Sequence, residues 1–153
     1  MRHSTCLASD RFDPALELST FLGQLSDEGG IVSFVGVARP TTRGGSPVER
    51  LFLDHHPRLT GRSLEEVAGA AGDRFDVSAL RVVHRFGEVA PGEAIVFVAA
   101  ASAHRRAAFE AADYVMDRLK TDAVFWKRED AVDGSHWIEP TDSDRAERAR
   151  WSE

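Results

Sequence analysis

Cysteine is nearly absent. Cys6 is the only one in 153 residues, which rules out an internal disulfide and leaves no thiolate cage for a metal. Its surroundings lack the electropositive setting that a reactive thiol needs, so Cys6 reads as incidental. Any sulfur chemistry must draw its sulfur from elsewhere. No apolar run reaches the roughly eighteen residues of a membrane-spanning helix. The opening MRHSTCLASDRFD lacks the apolar stretch of a secretory signal, and a cytoplasmic protein is expected. Positive charge is in deficit: a net charge of −6 makes nucleic acid and anionic membrane poor partners for the molecule as a whole. An anionic ligand would have to be caught by a local basic cluster. G-x-G-x-x-G, Walker and G-x-S-x-G motifs are missing, so nucleotide binding and serine hydrolysis have no support. Repeats, low-complexity tracts and Pro/Gly linkers are missing as well. Residues 1–153 therefore read as one domain, long enough to bury a core, with 1–12 and 141–153 expected as loose termini.

The pattern that is present alternates helices with pairs of strands. Asp13-Pro14 is the N-cap and first residue of a helix running to about Leu25. Gly29-Gly30 ends that region, and the β-branched run Ile31 to Val37 predicts a buried strand stopped by Arg39-Pro40. Thr41 to Pro47, TTRGGSP, is a polar loop. Val48 to His55 alternates as a strand, and Thr60 to Phe75 carries Leu64, Val67, Ala68 and Ala71 at helical spacing. Leu80 to Phe86 and Ala94 to Ala101 are strands joined by the turn Ala90-Pro91-Gly92-Glu93. Ser102 is expected to cap a third helix reaching Lys120, with Phe109, Ala112, Met116 and Leu119 facing the core. Val124 to Arg128 and His136 to Glu139 form a closing hairpin around Asp133-Gly134. After Thr141 the charged tail reads as a short or frayed helix. Paired strands between helices predict an α+β domain with mostly antiparallel strands and three main helices.

Chemistry concentrates in basic residues. Ser102-Ala103-His104-Arg105-Arg106 puts cationic groups in the first turn of a helix, where the macrodipole favours anions. A bound phosphate or carboxylate resolves that conflict; pairing of Arg106 with Glu110 and solvation of the others resolves it equally well. Lys120 ends a helix, where a cation is electrostatically welcome in any case. Lys127 shares a strand face with Phe125 and Glu129. It either lays its stem on apolar surface or is a partly desolvated amine able to act as acid, base or nucleophile. Arg39 closes the first buried strand at the mouth of the loop, where binding groups and ordinary surface arginines both occur. Asp54-His55-His56 lacks a third ligand at recognisable spacing, so no metal is expected.

In combination these segments resemble the large, catalytic subunit family of molybdopterin synthase. The resemblance runs from about Gly30 to Trp151. It rests on GGIVSFVGVAR, LDHHP, VVHRFGEVAPGEAIVFVAAASAHR, FEAADYVMDRLKTDAVFWKRE and HWIE, of which SAHR and LKTDAVFWKRE are the most specific. It implies an α/β-hammerhead fold and a sulfurtransferase that converts cyclic pyranopterin monophosphate into molybdopterin. The sulfur would arrive as a thiocarboxylate on the C-terminal glycine of a small ubiquitin-like subunit, whose tail enters a pocket on the large one. It further implies a homodimer with a small subunit at each outer end, and no cofactor. Carried over by position, Lys120 and Lys127 match the two active-site lysines, His104 and Arg105 the basic pair, and Arg39 the arginine of the first motif. Phe34, Met116 and Glu129 would shape the pocket, though core packing is the role expected first for Phe34 and Met116. The loop TTRGGSP, Arg58-Leu59 and Pro140 depart from the family pattern, and Pro140 stands where some members carry a basic residue. A phosphate-binding hydrolase or transferase, and a scaffold that only binds a ubiquitin-like tail, are the rival readings.

Overall fold

The computed structural model describes residues 1–152; Glu153, inside the tail expected to be loose, lies outside them. The elements are β1 (Arg2–Ala8), α1 (Pro14–Gly23), β2 (Gly30–Val37), β3 (Val48–His55), α2 (Leu59–Arg74), β4 (Ala79–Arg85), β5 (Gly87–Val89), β6 (Ala94–Ser102), α3 (Arg105–Thr121), β7 (Phe125–Ala131), β8 (Gly134–Ile138) and α4 (Asp142–Ala149). They build two four-stranded sheets, ordered β1-β4-β6-β2 and β5-β3-β7-β8. Only β1 against β4 is parallel, so the expected α+β architecture with mostly antiparallel pairing holds.

Hydrophobic period decides which face each element buries. Leu64, Val67, Ala68 and Ala71 of α2 and Ala111, Ala112, Val115 and Leu119 of α3 pack on Leu80, Val82, Val96 and Val98 of the first sheet. The opposite pleat of the same strands, Ala79, Val83, Phe97 and Ala99, receives Phe21 from α1, as a two-residue alternation requires. A third cluster, Ala38, Leu51, Leu53 and Val89 with Ile95 and Phe125 packed against it, joins the two sheets. Burying each large side chain of this kind contributes about 1.5–3 kcal/mol.

Four expectations need correction. The N-terminal residues are not loose: β1 runs beside β4 from Arg2↔Ala79 to Ala8↔Arg85. His3 and Thr5 reach Glu65 of α2, and Leu7 and Cys6 pack on opposite sides of the sheet. The C-terminal tail is a docked helix. Thr141 and Asp144 form a reciprocal capping box, and Trp151 packs edge-on against Phe75 and Tyr114. The third helix is capped by His104, not Ser102. Ser102 ends β6, donates to the Asp76 carbonyl at 2.7 Å and accepts from His104 N–H at 3.3 Å. Phe109, expected in the core stripe, is 59% exposed, because Ala108, Ala111 and Val115 already fill the helix face that meets the sheet.

Gly29 and Gly30 have a steric role at the start of β2. A Cβ on Gly29 would lie 2.5 Å from the Ala103 carbonyl oxygen, and one on Gly30 2.9 Å from Arg105 Cα. The absent side chains let β2 lie directly against the entrance to α3.

Candidate active site

An open cleft of about 1670 Å³ lies where β2, β3, β7, β8 and the ends of α3 and α4 meet. Each wall follows from local structure. β2 contributes Phe34 and Val37, and the chain leaving it contributes Arg39. The last turn of α3 contributes Met116 and Lys120; Lys120 is exposed there, beside the negative end of the helix dipole. Strand β7 turns Phe125, Lys127 and Glu129 to the cleft. Lys127 sits opposite Leu53 on β3 and Ile138 on β8, and directly paired residues share a face, so its stem is flanked by apolar neighbours. Arg128, on the other pleat, stacks its guanidinium over Phe52 and Trp137 at 4.9 and 5.7 Å.

Both features read for Lys127 in the sequence, an apolar seat for its stem and a desolvated amine, meet in this geometry. Burial lowers its pKa, the charge of Lys120 lowers it further, and Asp144 opposes both. Asp144 reaches the cleft from the first turn of α4. Burial alone would raise its pKa, but the Thr141 N–H it accepts and the charges of Lys120 and Lys127 hold it below the ordinary carboxylate value. Lys120 and Lys127 are the only lysines in the sequence; every other permanent side-chain cation is an arginine. That scarcity is a signal of special use that spacing alone does not carry.

Six residues singled out by sequence come together here: Phe34, Arg39, Met116, Lys120, Lys127 and Glu129. Phe34 is 43% exposed, so core packing is not its role, whereas Met116 both lines the cleft and packs on the core. His104 and Arg105 are not brought to this cleft. They are exposed at the opposite end of α3, and the helix from Arg105 to Lys120 spans about 22 Å at 1.5 Å per residue. Arg106 and Glu110 form no ion pair among the described residues. His56 is no metal ligand candidate, since its Nδ1 accepts from the Arg58 and Leu59 N–H groups at the start of α2. No group of three His, Cys, Asp or Glu among the described residues could hold a metal ion.

Sequence reasoning passed over His84, Asp144 and Arg145, which line the same cleft. His84 is hidden in an apolar strand run, and the other two lie in a charged tail without periodicity. Arg43, from the loop after Arg39, also lines it. A second hollow of about 530 Å³ lies beneath α1, with Glu17 and Arg81 among its lining residues; those two are paired at 3.1 Å. No helix among the described residues is long and apolar enough to cross a membrane.

The family model described as MoaE protein matches residues 7–122. A molybdopterin synthase catalytic subunit from Pseudomonas aeruginosa is 46% identical over 142 residues, 93% of this chain and 94% of that protein. One of the same name from Escherichia coli is 42% identical over 131 residues, covering 86% of this chain and 87% of its own. Among solved structures, the molybdopterin biosynthesis MoaE protein from Burkholderia ambifaria superposes with a TM-score of 0.82 at 35% identity, over 100% of this chain and 99% of that one.

Proposed function

Because this chain belongs to the MoaE protein family, we propose that it is the catalytic subunit of a molybdopterin synthase. It takes sulfur from the C-terminal thiocarboxylate of a small ubiquitin-like subunit and gives it to cyclic pyranopterin monophosphate. The observation that carries this reading is the convergence of the chain's only two lysines on one cleft. The reaction is assigned to the cytoplasm.

The cleft suits both reactants. A glycine-ended tail is narrow and flexible, and the exposed apolar side chains Phe34, Val37, Trp137 and Ile138 offer it a surface to lie on. Lys120, exposed at the helix end, meets the thiocarboxylate or the acyl intermediate and stabilises charge as sulfur attacks the pterin. Lys127, whose pKa is depressed by burial, transfers a proton or activates the substrate. Arg39 holds anionic oxygen by charge-assisted hydrogen bonds. Glu129 and Met116 shape the cleft around these groups.

His104 and Arg105 remain candidates for the substrate's phosphate, but one chain cannot direct them at its own lysines. Their exposure and their distance along α3 support a site completed by a second copy. The unpaired edge of β2, with Ile31 and Val35 exposed, is a surface on which such a homodimer could form.

Reconstitution tests the reading. Purified protein, thiocarboxylated small subunit and cyclic pterin precursor should yield dithiolene product, and Lys120→Ala should lose most of it while still binding the small subunit. Turnover of a phosphorylated small molecule without the small subunit would favour the hydrolase reading. Full activity in Lys120→Ala would favour a scaffold.

A further inference from the structure

The roles above use both lysines but leave unexplained the buried histidine beside them. His84, on β4, is 4% exposed. Its Nδ1 lies 2.8 Å from the Arg85 carbonyl oxygen, a contact that requires the proton on Nδ1 and leaves Nε2 as a lone-pair acceptor. The ring stacks on Phe125, with centroids 4.0 Å apart and planes 22° from parallel. His84 belongs to the first sheet and Phe125 to the second, so the stack bridges them two residues from Lys127 on the same face of β7. His84 also lines the cleft that holds Lys127. Burial keeps the imidazole neutral by pushing its pKa down to about 3, with the Lys127 charge acting in the same direction. An aliphatic or phenyl group would fill this place without the cost of burying a polar ring, so the ring nitrogens need a reason to be there.

We propose that His84 is a positioning residue for Lys127, an imidazole whose fixed Nδ1–H leaves Nε2 to accept a hydrogen bond from the Lys127 amine and set its direction. The charges of Lys120 from α3 and Asp144 from α4 act on Lys127, and the charge of Lys127 acts in turn on His84 from β4, with Arg39, Asp54 and Glu129 lining the same cleft. His84 is the neutral member of this set. It orients the amine without taking its proton, since an imidazolium is disfavoured at that depth. The kinetic consequence rests on the synthase reading; the proposed hydrogen bond does not.

The test uses the scarcity of lysine. Reductive 13C-methylation of the full chain labels Lys120, Lys127 and the N-terminal amine, so Lys127 can be titrated by NMR. An acceptor favours the charged amine. His84→Phe should therefore lower the Lys127 pKa further, by about half a unit or more for a hydrogen bond of ordinary strength. His84→Gln, which restores an acceptor, should recover most of the shift. Unlabelled lysine with 15N-labelled imidazole gives an independent reading in a chain whose His84 is intact. There Lys127→Met should move the Nε2 resonance of His84 and leave Nδ1 protonated. In the reconstituted synthase, His84→Phe should lower kcat about tenfold with KM retained, and His84→Gln should restore part of it. An unchanged Lys127 titration in a folded His84→Phe, or an unmoved Nε2 resonance in Lys127→Met, overturns the proposal. Absence of synthase activity in the wild type would remove the kinetic reading and leave these NMR outcomes to decide the contact.

Discussion

Trp151 donates its indole N–H to Asp117 Oδ2 at 2.7 Å, tying the C-terminal turn to the C-terminal half of α3. Arg150 donates to the same carboxylate oxygen at 2.9 Å and to Asp113 at 2.6 Å. Asp117 is buried, and a buried carboxylate without donors is costly. Trp151→Ala removes one of those donors together with the ring that packs on Phe75 and Tyr114. The expected loss is about 2–3 kcal/mol, below the fully buried case because Trp151 is only half-buried. Urea unfolding of the variant checks it, and an unchanged midpoint would mean that α4 docks without this tie.

The pH dependence of stability should carry the signature of His84. Its folded pKa, about 3, lies below that of an unfolded histidine, so the unfolded chain binds the extra proton first on acidification. Stability is therefore complete above about pH 6.5 and declines as the pH falls toward 3, by about 1.4 kcal/mol per unit from this group alone. His84→Phe keeps an aromatic ring against Phe125 and removes the titration. Unfolding free energies measured at several pH values should fall less steeply in the variant, by one bound proton.

At Gly29 and Gly30, alanine is expected to be disruptive despite its small size. The added Cβ would meet backbone atoms of Ala103 or Arg105, which cannot swing aside as a side chain would. Gly29→Ala should cost about 1–3 kcal/mol, in the range of other overpacking substitutions. Gly61→Ala, in α2 with open space around its Cβ position, should instead leave stability unchanged or raise it, by up to about 1 kcal/mol. Thermal unfolding of the pair separates a steric effect from a general intolerance of glycine replacement.

If Arg105 acts on a cleft other than its own chain's, two inactive variants should complement each other. Mixed dimers of Lys120→Ala and Arg105→Ala chains contain one intact site, so random reassortment should restore about a quarter of wild-type activity. Activity no greater than the average of the two separate variants would confine catalysis to single chains.

Periodicity made most of this fold readable. β2, an apolar run expected to be buried, is a sheet-edge strand with Ile31, Phe34, Val35 and Val37 exposed, whereas β6 and the buried faces of α2 and α3 announce themselves because their apolar spacing has one physical solution. β1 does not: RHSTCLA has mixed polarity, and its order comes from pairing with β4 and from Glu65 on α2, partners distant in sequence. α4 is likewise mostly polar, and it docks through Arg148 to Asp122 and through Arg150 and Trp151, just beyond it, to Asp113 and Asp117. At the site, Lys127 was ambiguous because a strand lysine among aromatics can be either surface or desolvated. Its burial beside the cross-strand neighbours Leu53 and Ile138 lowers its pKa and favours the desolvated reading, and register is not written in local sequence. His104 and Arg105 looked like companions of Lys120 by motif, yet a helix of rigid pitch holds them apart.

The restriction of lysine to the cleft has a chemical consequence for specificity. A C-terminal thiocarboxylate is itself a sulfur nucleophile, but the acyl species left once that sulfur has bonded to another group is an electrophile toward any free amine. Guanidinium groups stay protonated and do not compete as nucleophiles. Apart from the α-amine of Met1, a carrier tail sliding over this protein encounters no amine until it reaches Lys120 and Lys127. Isopeptide formation with the rest of the enzyme's surface is thereby closed off by composition, and acylation of a lysine side chain that traps the carrier can occur only in the cleft.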